Sequence, residues 1–214
     1  ILFGDGAGAV VMQATDVPSG VLSYVLGSDG SGGGHLILPA RGVANPPDQQ
    51  TLDMGMHKLR MNGREVFKFA TTVLGRALRE VISDAGLQTE DIDLFIPHQA
   101  NARIIESAAR AVNLPEEKVF VNIHKYGNTS AASIPIALCE AFEEGRAKVG
   151  DTLALVAFGA GLTWASAVIK IAPYEKPAPK RWWQHLFPKF LARNGHRSVQ
   201  DLPKSIPEMP VEVE

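Results

Sequence analysis

The sequence has the length and composition of an ordinary globular protein. Its 214 residues, 45% of them hydrophobic, suffice for one or two domains with sizeable cores. The formal net charge of -2 argues against a nucleic-acid binder, which usually carries a basic stripe, and no apolar run reaches the length of a membrane span. The single cysteine excludes an intramolecular disulfide and favours a reducing, cytoplasmic location.

Several apolar runs have the length and branched composition of strands. The opening, ILFGDGAGAVVM, lacks the basic segment and cleavage site of a secretory signal, so we expect it to lie within a domain. Its runs ILFG and AVVM are the first predicted strands, followed by IDLFIP near residue 94 and TLALVAFG with ASAVIKI near the end. Most of these runs lack alternation, which predicts burial on both faces.

Three segments show apolar residues at helical spacing: Gly63 to Ala85, Ala100 to Val112 and Ser130 to Glu144. Gly86 and Gly145 follow two of them directly, as C-terminal caps often do. Strand, helix and strand therefore alternate from about residue 63 to 171, which predicts an α/β layered fold.

Two stretches, LFGDGAGAVVM and AFGAGLTWASAVIK, both pair an F-G-x-G turn with an apolar strand and suggest two related halves. We assign residues 1–27 to the end of the first half, 28–62 to a connecting segment and 63–172 to the second half. Residues 173–214 form a proline-rich tail, basic and aromatic and then acidic. We expect the tail to pack on its own domain or a neighbouring subunit; contact with an anionic membrane or a partner is the alternative.

His98 is the first candidate for chemistry, because it follows the predicted strand IDLFIP. In open α/β sheets, ligands bind at the carboxyl ends of strands. A histidine there can serve a nucleophile or a developing negative charge, although it can equally cap a helix or hydrogen-bond a loop.

Two further segments offer hydrogen-bond donors. In YGNTSAAS, Gly127 permits an unusual backbone angle and the small residues allow close approach of another segment, while Asn128 could also be a simple N-cap. In FGAG, residues 158–161, a strand ends in a turn whose backbone N–H groups could face an oxyanion, or which is only a turn.

Other features are not expected to act. We predict that Cys139, on an apolar helical stripe, is buried and inert. No cysteine or histidine spacing resembles a zinc site, and we predict no metal. DGSGGG, Asp29 to Gly34, lacks the lysine and helix of a phosphate loop.

The motifs FGDGAGA, LGSDG, MNGREVFKFA, IPHQANARII, KYGNTSAASIPIAL and AFGAGLTW occur in an order and spacing that resemble the β-ketoacyl-(acyl carrier protein) synthase III enzymes. The resemblance runs from Ile1 to about Ile171. It implies the duplicated thiolase-like fold, α/β in layers α-β-α-β-α, with the end of the first half and the whole second half present here.

The resemblance also implies roles for individual residues. His98 corresponds to the catalytic histidine and Asn128 to the catalytic asparagine, which together donate hydrogen bonds to the malonyl thioester oxygen as it becomes enolate-like. The backbone at Ala160 corresponds to part of the oxyanion hole. The positions that line the pantetheine tunnel are Gly63, Phe67, Asn101 and Phe158, and the basic positions at its mouth, for the carrier protein, are Lys68, Arg103 and Arg110. Without the resemblance, each basic residue could be an ordinary solvated charge.

The activity implied is condensation of an acyl-CoA starter, expected to be acetyl-CoA, with malonyl-acyl carrier protein, which starts fatty acid synthesis. Homodimers and no permanently bound cofactor are implied as well. The family's nucleophilic cysteine lies upstream of FGDGAGA, and Cys139 matches no catalytic position, so we expect this chain alone to be inactive, as a fragment or as one of two pairing chains. The alternatives are a sibling enzyme that makes a polyketide, quinolone or long-chain β-keto product, and a non-catalytic subunit that binds carrier protein or CoA.

Overall fold

The structure, a computed structural model, describes residues 3–173, which lie in one compact unit. A four-stranded sheet has the order β1-β6-β5-β4, and β2 and β3 form a small antiparallel ladder. The strands are β1 (Gly20–Ser28), β2 (Leu36–Ile37), β3 (Arg60–Met61), β4 (Leu94–Pro97), β5 (Thr152–Gly159) and β6 (Thr163–Lys170). The α-helices are α1 (Gln49–Asp53), α2 (Gly63–Asp84), α3 (Ala102–Ala111), α4 (Ile123–Tyr126) and α5 (Ser133–Glu143).

Helices cover both faces of the sheet. Along β4, Phe95 belongs to a core cluster built with α2 and α3, whereas Leu94 and Ile96 belong to a second cluster with Ala137 and Ala141 of α5. Since successive strand side chains point to opposite faces, the two clusters lie on opposite sides of the sheet. The predicted α/β layering and the burial of β4 on both faces are therefore confirmed.

Strands β4 and β5 are parallel, while β6 is antiparallel to both of its neighbours. A parallel pair needs a long crossover, and here it contains α3, α4 and α5. The two strands therefore end at the same edge of the sheet, where the residues that follow them can meet.

The helix predictions are confirmed, with shifts at their starts. Helix α2 begins at Gly63 as predicted, because the Asn62 side chain accepts a hydrogen bond from the Glu65 N–H. Helices α3 and α5 begin two and three residues later than predicted. Asn101 caps α3, and a 3-10 turn, Ser130–Ala132, precedes α5.

The predicted strand AVVM is wrong, and of the predicted strand ILFG only Phe3 and Gly4 are among the described residues. Phe3 makes one isolated bridge to Asn128, and residues 4–15 have no regular secondary structure. Val10, Val11 and Met12 are exposed, because within residues 3–173 no strand lies beside them to pair with.

Strand β1 was not predicted. It pairs along its length with β6, so residues 20–27, assigned from the sequence to the end of the first half, share one sheet with β4, β5 and β6. Its inward side chains bind α2: the Ser23 hydroxyl donates to the Val81 carbonyl at 2.6 Å. The predicted tail, 173–214, lies outside the described residues apart from Pro173.

Within residues 3–173 no helix is both long and apolar enough to cross a membrane.

Candidate active site

His98 lies immediately beyond the end of β4, at the edge where β5 also ends. Its backbone N–H donates to the Val156 carbonyl of β5 at 2.8 Å, and its carbonyl accepts from the Ala100 N–H at 2.9 Å. The main chain on both sides of the histidine is therefore held by hydrogen bonds.

The His98 imidazole is oriented by two side-chain contacts. Its Nδ1 lies 2.6 Å from the Ser133 Oγ, at the first residue of α5. Its ring meets the Phe158 ring edge to face, with centroids 5.7 Å apart. Burial lowers the pKa of His98 below its ordinary value of 6.5, so the neutral imidazole is favoured.

Gln99, 1% exposed, ties the turn after β4 to the segment before α4. Its side-chain NH₂ donates to the Pro97 and Phe120 carbonyls, and its side-chain oxygen accepts from the N–H groups of Asn122 and Ile123. Sequence analysis assigned no role to Gln99 or Ser133. The signal available in the sequence was that Gln99 is a polar residue directly after the catalytic candidate His98.

Asn128 lies beside His98 in the wall of a shared cavity and is 9% exposed. Gly127 before it has φ 69° and ψ -156°, a combination that only glycine adopts readily. The Asn128 Oδ1 accepts the Ser130 N–H at 2.9 Å, so the Nδ2 end of the carboxamide is left to donate.

The start of the chain packs against this asparagine. The Gly4 N–H donates to the Asn128 carbonyl at 2.9 Å, and a Cβ at Gly4 would collide with the Tyr126 carbonyl oxygen. A Cβ at Gly6 would lie 2.9 Å from Ile136, and one at Gly8 only 2.6 Å from Pro135. The glycines of FGDGAGA therefore allow its backbone to lie directly against the segment that carries Asn128.

A cavity of about 290 Å³ opens beside His98 and Asn128. Its wall is mostly apolar and includes Leu36, Leu59, Met61, Val66 and Ile104. The predicted site residues in the same wall are His98, Asn128, Gly63, Phe67, Asn101, Phe158 and Ala160. We call this space the tunnel cavity.

A second hollow of about 680 Å³ also borders His98. It is lined by residues of β1, β5, β6 and the start of α5, among them Leu26, Ser133 and Trp164. His98 thus lines both spaces.

The predicted basic residues lie outside the tunnel cavity. Arg103 and Arg110 are exposed on α3, where Arg110 makes a loose 3.9 Å ion pair with Glu106. Lys68 is exposed on α2, which packs against α3, and borders a separate hollow that also contains Arg76.

Cys139 is exposed, so the prediction that it is buried is wrong. Residues 137 and 141 of α5 face the sheet, and this places position 139 on the outer side of the helix. Its thiol lies 3.6 Å from the Glu143 carboxylate, whose negative charge raises the pKa of the thiol. Cys139 lines neither the tunnel cavity nor the second hollow.

The site therefore combines a neutral imidazole and a carboxamide at a mostly apolar cavity, each with one polar end already bonded. This arrangement suits the stabilisation of negative charge that develops on a carbonyl oxygen.

Two family models match the chain. The model described as 3-oxoacyl-[acyl-carrier-protein (ACP)] synthase III C terminal matches residues 82–171. The model described as 3-oxoacyl-[acyl-carrier-protein (ACP)] synthase III matches residues 1–30.

Individual proteins agree with these models. β-Ketoacyl-[acyl-carrier-protein] synthase III of Caldanaerobacter subterraneus subsp. tengcongensis is 52% identical over 170 residues, which are 79% of this chain and 51% of that protein. The protein of the same name from Staphylococcus epidermidis is also 52% identical, over 79% of this chain and 50% of its own. The crystal structure of the Thermus thermophilus β-ketoacyl-[acyl carrier protein] synthase III superposes with a TM-score of 0.66 at 47% identity, covering 77% of this chain and 50% of the other.

The chain thus spans about half the length of the relatives it matches. The match to the Thermus structure confirms the predicted thiolase-like α/β fold.

Proposed function

Because the chain belongs to the 3-oxoacyl-[acyl carrier protein] synthase III family, we propose that it supplies the hydrogen-bond donors and the substrate tunnel for a decarboxylating condensation. In this reaction an acyl group from acyl-CoA, with acetyl-CoA as the expected starter, joins malonyl-acyl carrier protein to give a 3-oxoacyl-acyl carrier protein. The observation that carries the proposal is the presence of His98 and Asn128 in the wall of one cavity, each with a donor left free by its local hydrogen bond.

The donors act on the malonyl thioester. The carbon–carbon bond to the malonyl carboxylate breaks and CO₂ leaves. The electron pair of that bond moves toward the thioester carbonyl, whose oxygen becomes enolate-like. The Nε2–H of His98 and the Nδ2–H of Asn128 stabilise that oxygen, and removal of one such donor typically costs about a hundredfold in rate or more. The enolate carbon then attacks the enzyme-bound acyl thioester, and the thiolate leaves.

Burial helps His98 in this role. A neutral imidazole can donate one hydrogen bond without giving its proton away, and burial favours the neutral form. The Phe158 ring beside it keeps that side of the site apolar, which strengthens the electrostatic effect of the donors.

The tunnel cavity suits a pantetheine arm. Its mostly apolar wall, with Phe67 and Phe158, fits the arm's aliphatic parts. Asn101 offers its amide NH₂ to the arm, because its side-chain oxygen caps α3. The backbone at Ala160 is proposed to complete the oxyanion hole for acyl transfer, and Lys68, Arg103 and Arg110 to bind the acidic carrier protein.

We propose that the acyl-accepting thiol is not Cys139. This thiol lies on the outer side of α5, has its pKa raised by Glu143, and borders neither space beside His98. The nucleophile then comes from a part of the enzyme outside this sequence, and a homodimer with no permanently bound cofactor is proposed for the whole enzyme.

The test is His98→Ala in the full-length enzyme. Malonyl decarboxylation should fall about a hundredfold or more, while transfer of the acyl group from acyl-CoA to the protein, followed by intact mass, should persist. Asn128→Ala should behave in the same way.

The matched control is His124→Ala, because His124 is an exposed histidine on α4. An unchanged decarboxylation rate in His98→Ala would refute the role assigned to His98. Absence of decarboxylation in the wild type itself would favour a non-catalytic binding subunit, and acylation at Cys139 would refute the assignment of the nucleophile.

A further inference from the structure

Ser133 occupies a position that neither the sequence motifs nor the proposed chemistry assigned. It is the first residue of α5 and is 3% exposed. Its hydroxyl oxygen lies 2.6 Å from the His98 Nδ1 and 3.2 Å from the backbone nitrogen of Gln99. One buried hydroxyl therefore touches both the candidate histidine and the main chain next to it.

The two contacts define the direction of the serine hydrogen bond. The Gln99 backbone N–H can only donate, so the Ser133 oxygen accepts that bond. Among the described residues, the His98 Nδ1 is the one partner found for the Ser133 hydroxyl besides the Gln99 N–H, so it is the available acceptor for the Ser133 proton. The hydroxyl therefore donates to Nδ1.

A neutral imidazole carries one proton, and the nitrogen that accepts a hydrogen bond is the unprotonated one. From the Ser133 contacts we infer that this serine is a positioning residue, which holds His98 in the tautomer with its proton on Nε2 and so directs that N–H at the substrate oxygen. The use of the Nε2–H in catalysis rests on the proposed function. The tautomer itself does not.

The opposite assignment has a physical cost. With the proton on Nδ1, the Ser133 oxygen would receive two N–H groups, while its own proton would lie buried without an acceptor among the described residues. A buried donor left without a partner loses the hydrogen bond that it makes to water in the unfolded chain, which destabilises this arrangement. The Nε2 would then present a lone pair toward the substrate oxygen and repel it.

The first experiment is nitrogen NMR on the protein labelled with ¹⁵N-histidine, with the His98 signals identified by their loss in His98→Gln. Above the pH at which His98 titrates, the wild-type spectrum should show Nδ1 unprotonated and Nε2 protonated. In Ser133→Ala the signals should move toward a mixture of tautomers. Because a donor to the neutral ring is lost, the pH at which His98 titrates should also rise. A wild-type Nδ1–H tautomer, or an unchanged tautomer and titration in Ser133→Ala, would overturn the inference.

Activity provides the second readout. Ser133→Ala should lower malonyl decarboxylation about tenfold or more with little change in KM, and Ser133→Thr, which keeps the hydroxyl, should restore most of the rate. Ser83→Ala, an exposed serine near the end of α2, is the control, and circular dichroism identifies any variant that fails to fold. A full rate in Ser133→Ala would overturn the catalytic part of the inference. If His98→Ala left the wild-type rate unchanged while the NMR result held, only the proposed function would fail.

Discussion

At the scale of single residues, the candidate site depends on which atom of each side chain is already bonded. The Oδ1 of Asn128 is held by the Ser130 N–H, and the Nδ1 of His98 by the Ser133 hydroxyl. Each bond leaves the donating end of its side chain free. Because these donors are already in position, they need not reorient when negative charge develops on the substrate. Such preorganisation is the main source of electrostatic catalysis.

The lowered pKa of His98 predicts how decarboxylation depends on pH. Its cause is burial, which penalises the imidazolium. The neutral donor should therefore persist below pH 6.5, the ordinary value, and the rate should fall only when the pH drops through the lower pKa of the folded protein. A pH–rate profile of single-turnover decarboxylation measures this. A decline that begins above pH 6.5 would contradict it.

The same pKa shift predicts how stability depends on pH. Below pH 6.5 the unfolded chain takes up a proton at this residue before the folded chain does, so the unfolded state binds more protons and stability falls as the pH falls. His98→Gln should remove this part of the dependence, whereas the exposed His124→Gln should keep it. Urea denaturation of the variants at pH values on both sides of 6.5 measures the difference.

At the scale of elements, three segments converge on Asn128. The FGDGAGA segment packs against one side. Helices α4 and α5 are joined through Glu140, whose carboxylate accepts from the side chains of Tyr126, Asn122 and Lys125. These bonds, that from Tyr126 first, lower the pKa of Glu140. The position of the asparagine therefore depends on contacts from outside its own turn.

Gly4→Ala tests this dependence. The new methyl group would meet the Tyr126 carbonyl oxygen, so the Gly4 backbone must move and with it the hydrogen bond to the Asn128 carbonyl. We expect about 1–3 kcal/mol of destabilisation and a drop in decarboxylation of up to about a hundredfold, the effect of a misplacement of about 1 Å.

Gly34→Ala is the matched control, because nothing lies within 4 Å of a Cβ there. Thermal unfolding and kcat measurements on both variants give the comparison. Equal effects in the two variants would show that the close packing at Gly4 does not position Asn128.

At the scale of the whole molecule, the site lies at the edge of the sheet where β4 and β5 end. The α3 helix, which begins just beyond His98, carries Arg103 and Arg110 on its exposed surface. They are seven residues apart, or nearly two helical turns, and so face the same way. An acidic carrier that docks there would bring its arm toward the tunnel cavity.

The docking proposal predicts different effects on the two substrates. Arg103→Glu should raise the KM for malonyl-acyl carrier protein about tenfold or more, through lost attraction and new repulsion, with much less effect on the KM for acyl-CoA. Lys148→Glu is the control, because Lys148 is exposed in the turn before β5, at the opposite edge of the sheet. Similar increases for both substrates, or an equal effect of Lys148→Glu, would count against a carrier site on α3.

The sequence by itself determined the features whose causes lie within one segment. Apolar spacing and capping residues predicted α2, α3 and α5, and unbroken apolar runs predicted β4, β5 and β6. The residue types of PHQAN and GNTSAAS were enough to select His98 and Asn128.

Only the tertiary structure decided the features that depend on distant partners. The pairing of β1 with β6 joins residues about 140 apart in the chain and places β1 in one sheet with β4, β5 and β6. The absence of a partner strand in residues 3–173 left AVVM without a sheet. The rotation of α5 about its axis placed Cys139 on the side of the helix that faces away from the sheet. The contact between Ser133 and His98, which are 35 residues apart in the chain, defined the donating nitrogen of His98. Periodicity reports which side chains share a face, but strand pairing and hydrogen-bond direction depend on what the fold brings opposite each group.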